Sequence, residues 1–245
     1  MALAPPRDRR ALPLQVYDSI LSLIRDDGLG PGDQLPPEPL LADRFAVGRS
    51  TIREALKLLE QDGLIEVRHG SGRFVSAIAE LRDARPITRF ESATEMLSRL
   101  GHEFSTEVLD VVEAEPTASE RRALDLPPRA QVLRVKRRRS QGRKLLVYLV
   151  DAIDRRVLSG TTDDYDWSRS VVRVLESEGH RIVSSAAQVR ATTLPDEVPH
   201  TGSEERAAPW LLITETCVTD VGRAVLHAND YHRADAFAFH FVRRR

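Results

Sequence analysis

Hydrophobic positions in the first third of the chain recur at the spacing of short amphipathic helices. In residues 47–63 the apolar side chains fall at i, i+3, i+4 and i+7 and share one face: Ile52, Ala55, Leu56 and Leu59. A neighbouring face, about a third of a turn away, carries cationic and hydroxyl-bearing side chains: Arg49, Ser50, Arg53 and Lys57. The pattern predicts a short helix with a packed side and a cationic side near its N-terminus.

Two signals compete for the start of this helix. Gly48 can act as the N-cap, or Thr51 and Glu54 can form a capping box. Gly63 is a suitable stop, because glycine readily ends a helix in the left-handed conformation.

The segments on either side of this helix indicate its role. Residues 38–45 form a second short amphipathic run, and a tight connection at 46–48 joins it to the first, which is typical of a helix-turn-helix. Residues 64–67 and 73–75 resemble two short strands around the glycine-rich segment 69–72, which predicts a β-wing. The alternative is an ordinary helical pair with solvated arginines and an unremarkable hairpin.

A winged helix-turn-helix predicts binding to double-stranded DNA. The second helix would enter the major groove, where arginine can read guanine, and the glycines would let the wing tip approach the phosphate backbone. The candidate DNA-binding residues are Arg49, Ser50, Thr51, Arg53, Lys57, His69, Gly70 and Gly72. Arg7, Arg9 and Arg10 precede this region, in an arm that we interpret as a solvated tail rather than a DNA contact.

Five segments in the first 75 residues carry a family resemblance: 13–17, 31–38, 41–47, 49–56 and 69–75. In order and spacing this part of the chain resembles the GntR family of bacterial transcriptional regulators. Two departures stand out: Pro37 and Gly48 occupy positions where the family usually has serine. The second removes a hydroxyl that could cap the helix or touch a phosphate.

From residue 90 the pattern changes to strands arriving as hairpins with helices between them, which argues for an antiparallel α+β domain. We predict helices at 90–100, 117–126 and 167–178, and strands at 105–114, 132–139, 145–153, 182–193, 210–219, 223–233 and 236–242. The second of these helices opens on a capping box of Thr117 and Glu120, and a turn at Gln141 and Gly142 joins two strands. Residues 194–209 show no readable pattern.

This second half resembles the UTRA effector domain of the HutC-type GntR subfamily through residues 90–94, 100–104, 137–139, Ser170 and 231–235. The resemblance implies a chorismate-lyase-like fold that binds a small molecule and dimerises. The predicted fold class is therefore α+β, with a winged helix-turn-helix at 1–76, a linker at 77–89 and a UTRA domain at 90–245.

Candidate effector residues come from strand alternation and from the resemblance. Alternation puts Arg137 and Arg139 on one sheet face, where two guanidinium groups suit an anionic ligand, unless the strand is simply solvated. The resemblance implies pocket roles for Ser170, Glu215 and Tyr231; the alternatives are a plain N-cap and cross-strand surface pairing. Members that recognise amino sugars carry a carboxylate where this chain has residues 147–149, Val-Tyr-Leu, so an amino-sugar phosphate is disfavoured.

Composition limits the remaining possibilities. The chain has 245 residues, 41% hydrophobic and 30% charged, and a formal net charge of −1, so a DNA footprint would have to come from the distribution of charge. No apolar run approaches the roughly 20 residues that span a bilayer, and no signal-peptide core is present, so we expect a cytoplasmic protein. Cys217 is the single cysteine, and His227, His232 and His240 lack metal-ligand spacing. We therefore expect no metal, no cofactor and no catalytic residues.

The expected function is a ligand-responsive repressor that binds a palindromic operator as a homodimer and is controlled by a small, anionic metabolite. The family resemblance implies operator arms of the GT…AC type. One alternative is a DNA-binding structural or plasmid-maintenance protein without an effector, which an occluded pocket would favour. Another is a lyase-like enzyme, although no paired acid–base constellation is visible in the sequence.

Overall fold

The computed structural model describes residues 11–77, 85–86, 90–99, 101, 103–199 and 201–240. The chain divides into two compact units, Met1–Arg89 with Phe239–Arg245 and Phe90–Ala238. The basic arm and most of the predicted linker lie outside the described residues. None of the helices in the described part of the chain is long and apolar enough to cross a membrane.

Three helices and a hairpin form the first unit. The helices are α1 (Leu12–Asp26), α2 (Glu38–Phe45) and α3 (Arg49–Gln61), and the strands of the hairpin are β1 (Ile65–Arg68) and β2 (Gly72–Val75). The predicted apolar stripe of α3 is buried and packs against Ile20 and Ile24 of α1 and Leu41 of α2. Each fully buried aliphatic side chain contributes roughly 1.5–3 kcal/mol, so this small core holds α3 in place.

The connection between α2 and α3 is a tight turn. Ala46 ends α2 with a left-handed backbone, φ 53°; its N–H donates to the carbonyl of Asp43, and the N–H of Val47 donates to the carbonyl of Ala42. Gly48 is the N-cap of α3, whereas Thr51 lies inside the helix, so the capping-box alternative was wrong. Gly63, with φ 73°, follows the end of α3 as predicted.

The first unit also contains a short parallel pair of strands. The strand β3 (Arg85–Pro86) pairs with the last strand of the chain, Phe239–His240. We predicted a longer strand over 236–242, but the described part of it is this two-residue segment. Phe237 is instead buried, with its ring edge-on to His232 at 5.3 Å between centroids.

The second unit is built on an antiparallel six-stranded sheet, which confirms the α+β prediction. Its helices are α4 (Ala93–Arg99), α5 (Ala118–Ala123), α6 (Val171–Ser177) and α7 (Ser203–Ala207). Its strands are β4 (Ser105–Ala114), β5 (Val132–Gln141), β6 (Lys144–Asp154), β7 (Ile182–Thr192), β8 (Trp210–Thr219) and β9 (Ala224–Arg233). The strand order is β4-β5-β6-β9-β8-β7. The last strand of the chain, Phe239–His240 in the first unit, is β10.

Local signals explain most of these boundaries. The Thr117–Glu120 capping box is present at the start of α5. The β5–β6 turn falls at Gly142 and Arg143, one residue later than predicted, because Gln141 still pairs with Lys144. The predicted helix at 167–178 is shorter: α6 begins at Val171, and Trp167 lies before it.

The central strands of the sheet are covered on both faces. One face packs against α6 through a cluster that includes Leu133, Val135, Leu175 and Leu226. On the other face, the unpatterned segment 194–209 places Leu194 and Val198 over Tyr148 and Trp210. The first face carries the candidate cleft.

Candidate functional sites

The predicted DNA-reading side chains lie on the solvent side of α3. Arg49, Ser50, Arg53 and Lys57 are exposed, and Thr51 is half-buried. On the hairpin, His69, Gly70 and Gly72 are exposed at the tip. Because the opposite face of α3 is fixed in the core, the cationic side chains are presented on a rigid helix.

Glu38 joins the α3 surface to the wing, and sequence reasoning missed it. Its carboxylate accepts a hydrogen bond from Nη1 of Arg73 on β2 at 2.8 Å, and Nε of Arg53 lies 3.5 Å from the other oxygen. The Glu38 side chain is 20% exposed, so this network is partly shielded from water. One carboxylate therefore constrains an arginine of α3 and an arginine of the wing.

The two glycines of the wing tip serve different purposes. Gly70 has φ +75° and open space where a Cβ would lie. Gly72 has φ +116°, and a Cβ there would lie 2.7 Å from Nε2 of Gln34, which donates to the carbonyl of Ser71. Gly72 is thus favoured chiefly by its backbone conformation, and a Cβ there would also displace the end of the Gln34 side chain, whereas Gly70 leaves the tip open to a close neighbour.

The cleft of the second unit opens where the buried face of β5 changes from apolar to charged side chains. Along that face Leu133 and Val135 are followed by Arg137 and Arg139, which are 3% and 1% exposed. The predicted alternation of the two arginines is therefore observed, but as buried rather than solvated charges.

Arg137 is extensively bound within the protein. Its Nη2 donates to Asp151 of β6, and its Nη1 donates to the carbonyls of Trp167 and Arg169. The Arg137 and Asp151 side chains are only 4% and 5% exposed. Strand β6 brings Asp151 beside Arg137, a contact that the sequence alone does not show.

Arg139 is less fully bound. Its Nη2 donates to Oγ1 of Thr94 at 2.6 Å, and its Cζ lies 5.3 Å from the ring centre of Phe104. Within the described residues, Nε and Nη1 are buried without a hydrogen-bond partner. Burial, with repulsion from Arg137, lowers the pKa of Arg139 to about 10, although Asp230 and Asp151 oppose the change.

Carboxylates complete the floor of the cleft. Asp151 on β6, Asp230 on β9 and Glu215 on β8 all line it. Glu215 accepts a hydrogen bond from Oγ of Ser185 at 2.9 Å. Asp151 and Asp230 were not predicted, because their positions depend on strand pairing across long stretches of sequence.

This floor no longer disfavours an amino-sugar ligand. Residues 147–149 carry no carboxylate, but Asp151 on the same strand supplies one to the cleft two residues later.

Ser170 and the segment before α4 form the opposite wall. Ser170 is 4% exposed at the N-cap position of α6 and makes no side-chain capping hydrogen bond. Phe90, Ser92 and Thr94 complete this wall. The enclosed space is narrow, about 30 Å³.

Tyr231 does not lie with the other candidate effector residues. It packs on the opposite face of the sheet against Tyr148, with ring centres 5.7 Å apart. The reason is the two-residue period of a strand, which turns Asp230 towards the cleft and Tyr231 away from it.

Among the residues that the structure describes, no group of three or more metal-ligating side chains converges. His227 contacts Oγ1 of Thr216 through Nδ1 at 2.9 Å, and burial lowers its pKa.

Comparison with known proteins agrees with the division of the chain into two units. The model of the gntR family of bacterial regulatory proteins matches residues 12–75, and that of the UTRA domain matches residues 99–238. The structure is similar to the possible transcriptional regulator YydK of Bacillus subtilis, with a TM-score of 0.70, 21% identity, and coverage of 96% of this chain and 100% of that one. It is also similar to PhnF of Mycobacterium smegmatis, with a TM-score of 0.56, 20% identity, and coverage of 96% and 99%. At these identities the likeness establishes the fold.

Curated relatives match over different lengths. The mannosyl-D-glycerate system repressor MngR of Escherichia coli is 33% identical over 53% of each chain. The repressor NagR of Bacillus subtilis is 24% identical over 94% of each. An HTH-type transcriptional regulator of Mycobacterium tuberculosis is 38% identical over 43% of this chain and 41% of its own length, so the match spans less than half of that relative.

These relatives are transcriptional regulators rather than enzymes, which removes the lyase-like alternative. The UTRA model alone matches more than half of the chain, and the gntR model precedes it in the same chain. The protein is a member of the GntR family of bacterial transcriptional regulators, with a UTRA domain after its helix-turn-helix.

Proposed function

We propose that this protein is a repressor that binds a palindromic operator as a homodimer and releases it when a small molecule occupies the cleft. The observation that carries the proposal is the exposed cationic face of α3, held beside a glycine-tipped wing. The domain limits follow the sequence argument: DNA binding by 1–76, a linker at 77–89 and effector binding by 90–245. A cytoplasmic location is part of the same proposal.

In this proposal Arg49 and Arg53 read bases in the major groove. Ser50, Thr51 and Lys57 contact phosphates, and the wing residues His69, Gly70 and Gly72 approach the backbone. The positive charge is local, since the chain as a whole has a net charge of −1. Binding should therefore weaken steeply with added salt, in proportion to the number of phosphates contacted.

The test begins with selection of an operator from a random DNA pool, followed by gel-shift titration. Arg49→Ala or Arg53→Ala should cost about 1–3 kcal/mol in operator affinity and relax base preference. Arg25→Ala, which changes an exposed arginine of α1, is the matched control. Unchanged affinity in both α3 variants would refute the assignment of α3 as the reading helix.

The edge strand β7 supports a dimer of effector domains. It is 11 residues long, mostly exposed on both sides, and pairs within the described chain only with β8. Arg190 is its one charged residue, whereas the other edge strand, β4, carries the acidic residues Glu107, Asp110 and Glu113. Edge charges discourage pairing with a second copy, so β7 is the edge better suited to join two copies.

Sedimentation analysis of the full chain tests this interface. Ala186→Asp combined with Gln188→Asp would place like charges opposite one another in an antiparallel β7–β7 pair and should shift the protein towards monomer. Val112→Asp on β4 is the control and should leave the mass unchanged. A dimer that survives the β7 change and dissociates with the β4 change would reverse the assignment.

The cleft residues Arg137, Arg139, Ser170 and Glu215 support effector binding, and Arg139 does so best because it has buried N–H groups to offer. Tyr231 is not retained in this set. An effector shifts the equilibrium between operator-binding and released states only by its difference in affinity for the two. Arg139→Ala should leave operator binding intact and abolish release, and a normal response to the inducer would disprove the anchor role.

The narrowness of the cleft favours one competing function, a DNA-binding protein without an effector. A space of about 30 Å³ has room for only about two water molecules. A metabolite screen on the operator complex separates the two. Release by any compound supports the regulator, and a complex that nothing releases supports a structural role.

A further inference from the structure

The charges of the cleft do not match those of a simple anion site. Its described lining holds two arginines, Arg137 and Arg139, against three carboxylates, Asp151, Glu215 and Asp230. A purely anionic ligand would enter a site whose formal charge is already negative. Like charges in a low-dielectric space repel strongly, so the carboxylates require an explanation.

Arg137 cannot be the main anchor for an anion. Asp151 already neutralises it through Nη2, and its Nη1 donates to two backbone carbonyls, which leaves only Nε without a partner among the described residues. Withdrawing it towards a ligand would leave the Asp151 carboxylate buried without its cation, which is a large cost.

Arg139 is the available donor. It is 1% exposed, lines the cleft, and keeps Nε and Nη1 without partners among the described residues. A buried donor without an acceptor is costly, and a ligand carboxylate or phosphate would relieve that cost.

The other two carboxylates of the cleft, Asp230 and Glu215, are separated from Arg139 across the strands of the sheet. Arg137, Leu149, Asp230 and Ile213 form one row of paired positions, and Glu215 lies opposite Ala228 in the next. Since neighbouring strands are about 4.8 Å apart, β9 lies roughly 10 Å and β8 roughly 14 Å from β5 at the backbone. The floor thus has a cationic end on β5 and an anionic end on β9 and β8.

We infer that the ligand of the cleft is a small zwitterion, whose acidic group binds Arg139 and whose amine or other cationic group binds Asp230 and Glu215. This inference rests on the proposed effector cleft and specifies its ligand class. An organic cation fits better than a metal ion, since the described carboxylates do not converge as a metal-ligand group.

The test uses the full chain and matched probes. The zwitterions are the ω-amino acids from glycine to 8-aminooctanoate, and each is compared with the carboxylic acid and the amine of the same length. Thermal unfolding measures binding, because a ligand of the folded state raises the unfolding temperature with its concentration. We expect at least one zwitterion to bind at least tenfold more tightly than its acid and its amine.

Two variants assign the ends of the ligand. Arg139→Gln should abolish the advantage of the zwitterion over the amine, and Asp230→Asn should abolish its advantage over the acid. Asp230→Glu keeps the charge and should restore part of the effect, which separates charge recognition from a folding defect. Glu107→Gln, on the exposed edge strand, is the neutral control.

An acid that stabilises the protein as much as its zwitterion, or a series in which no zwitterion stabilises it, would overturn the inference. Operator binding in the same preparation distinguishes the two proposals. Release of the operator by a purely anionic metabolite would keep the regulator and reject the zwitterion. If the protein binds a zwitterion but recognises no operator, the zwitterion inference is kept and the regulator is rejected.

Discussion

The buried pair of Arg137 and Asp151 makes a quantitative prediction about the stability of the effector domain. Asp151→Asn keeps the size of the side chain and removes its charge, which leaves the Arg137 guanidinium buried beside two carbonyls. Removing one partner of a buried ion pair costs about 3–5 kcal/mol. For a domain of this size that corresponds to a fall of roughly 6–20 °C in the unfolding temperature.

An exposed ion pair of the same sheet provides the comparison. Arg138 pairs with Glu107, whose side chain is 49% exposed, so Glu107→Gln should cost no more than about 1 kcal/mol. The double change Arg137→Met with Asp151→Leu replaces the pair by apolar groups. It should recover most of the loss, because it leaves no unpaired charge in the interior.

Urea unfolding followed by circular dichroism, without added ligand, measures all three variants. The reasoning fails if Asp151→Asn costs no more than Glu107→Gln. It also fails if the apolar double variant is as unstable as Asp151→Asn, since the cost would then come from shape rather than from the unpaired charge.

Three further changes test other parts of the structure by the same unfolding assay. Gly72→Ala should cost about 1–3 kcal/mol and more than Gly70→Ala, because φ +116° is more strained for an L residue than φ +75° and a Cβ would also push the Gln34 amide away from Ser71; equal costs would contradict this account. Thr117→Ala should cost about 1 kcal/mol through loss of the capping box, and no measurable loss would contradict the cap. Burial raises the pKa of Asp154, but hydrogen bonds from two arginines outweigh it and the net pKa is lowered. The stability lost in Asp154→Asn should therefore be full above the unfolded pKa of about 3.9 and shrink as pH falls through the lower folded value; a gap that widens in acid would contradict this.

The periodicity of hydrophobic and polar residues was sufficient to predict the elements whose contacts are local in sequence. The stripe of α3 is set by four residues within two turns, and the two glycines of the wing lie next to the strands they join. The alternation of β5 likewise put Arg137 and Arg139 on one face. Each of these features depends on residues that are near one another in sequence.

The rest of the cleft depends on strand pairing that no single segment contains. Asp151 and Asp230 meet the arginines only because β6 and β9 are neighbours in the sheet. Tyr231 shows how sensitive this is: a shift of one residue along a strand moves a side chain to the other face. Residues 194–209 lack a readable period because they hold only the five-residue helix α7, and their remaining part is an irregular segment anchored on the sheet by Leu194 and Val198.

The positions of the two tryptophans have a spectroscopic consequence. Both belong to the second unit, Trp167 on the cleft side of the sheet and Trp210 on the other side. The backbone carbonyl of Trp167 accepts a hydrogen bond from Arg137, so its indole belongs to a residue of the cleft network. Replacing either tryptophan with phenylalanine leaves a single emitter on one known face. The intrinsic fluorescence of this protein can therefore follow the cleft and the opposite face separately, with no tryptophan emission from the DNA-binding unit.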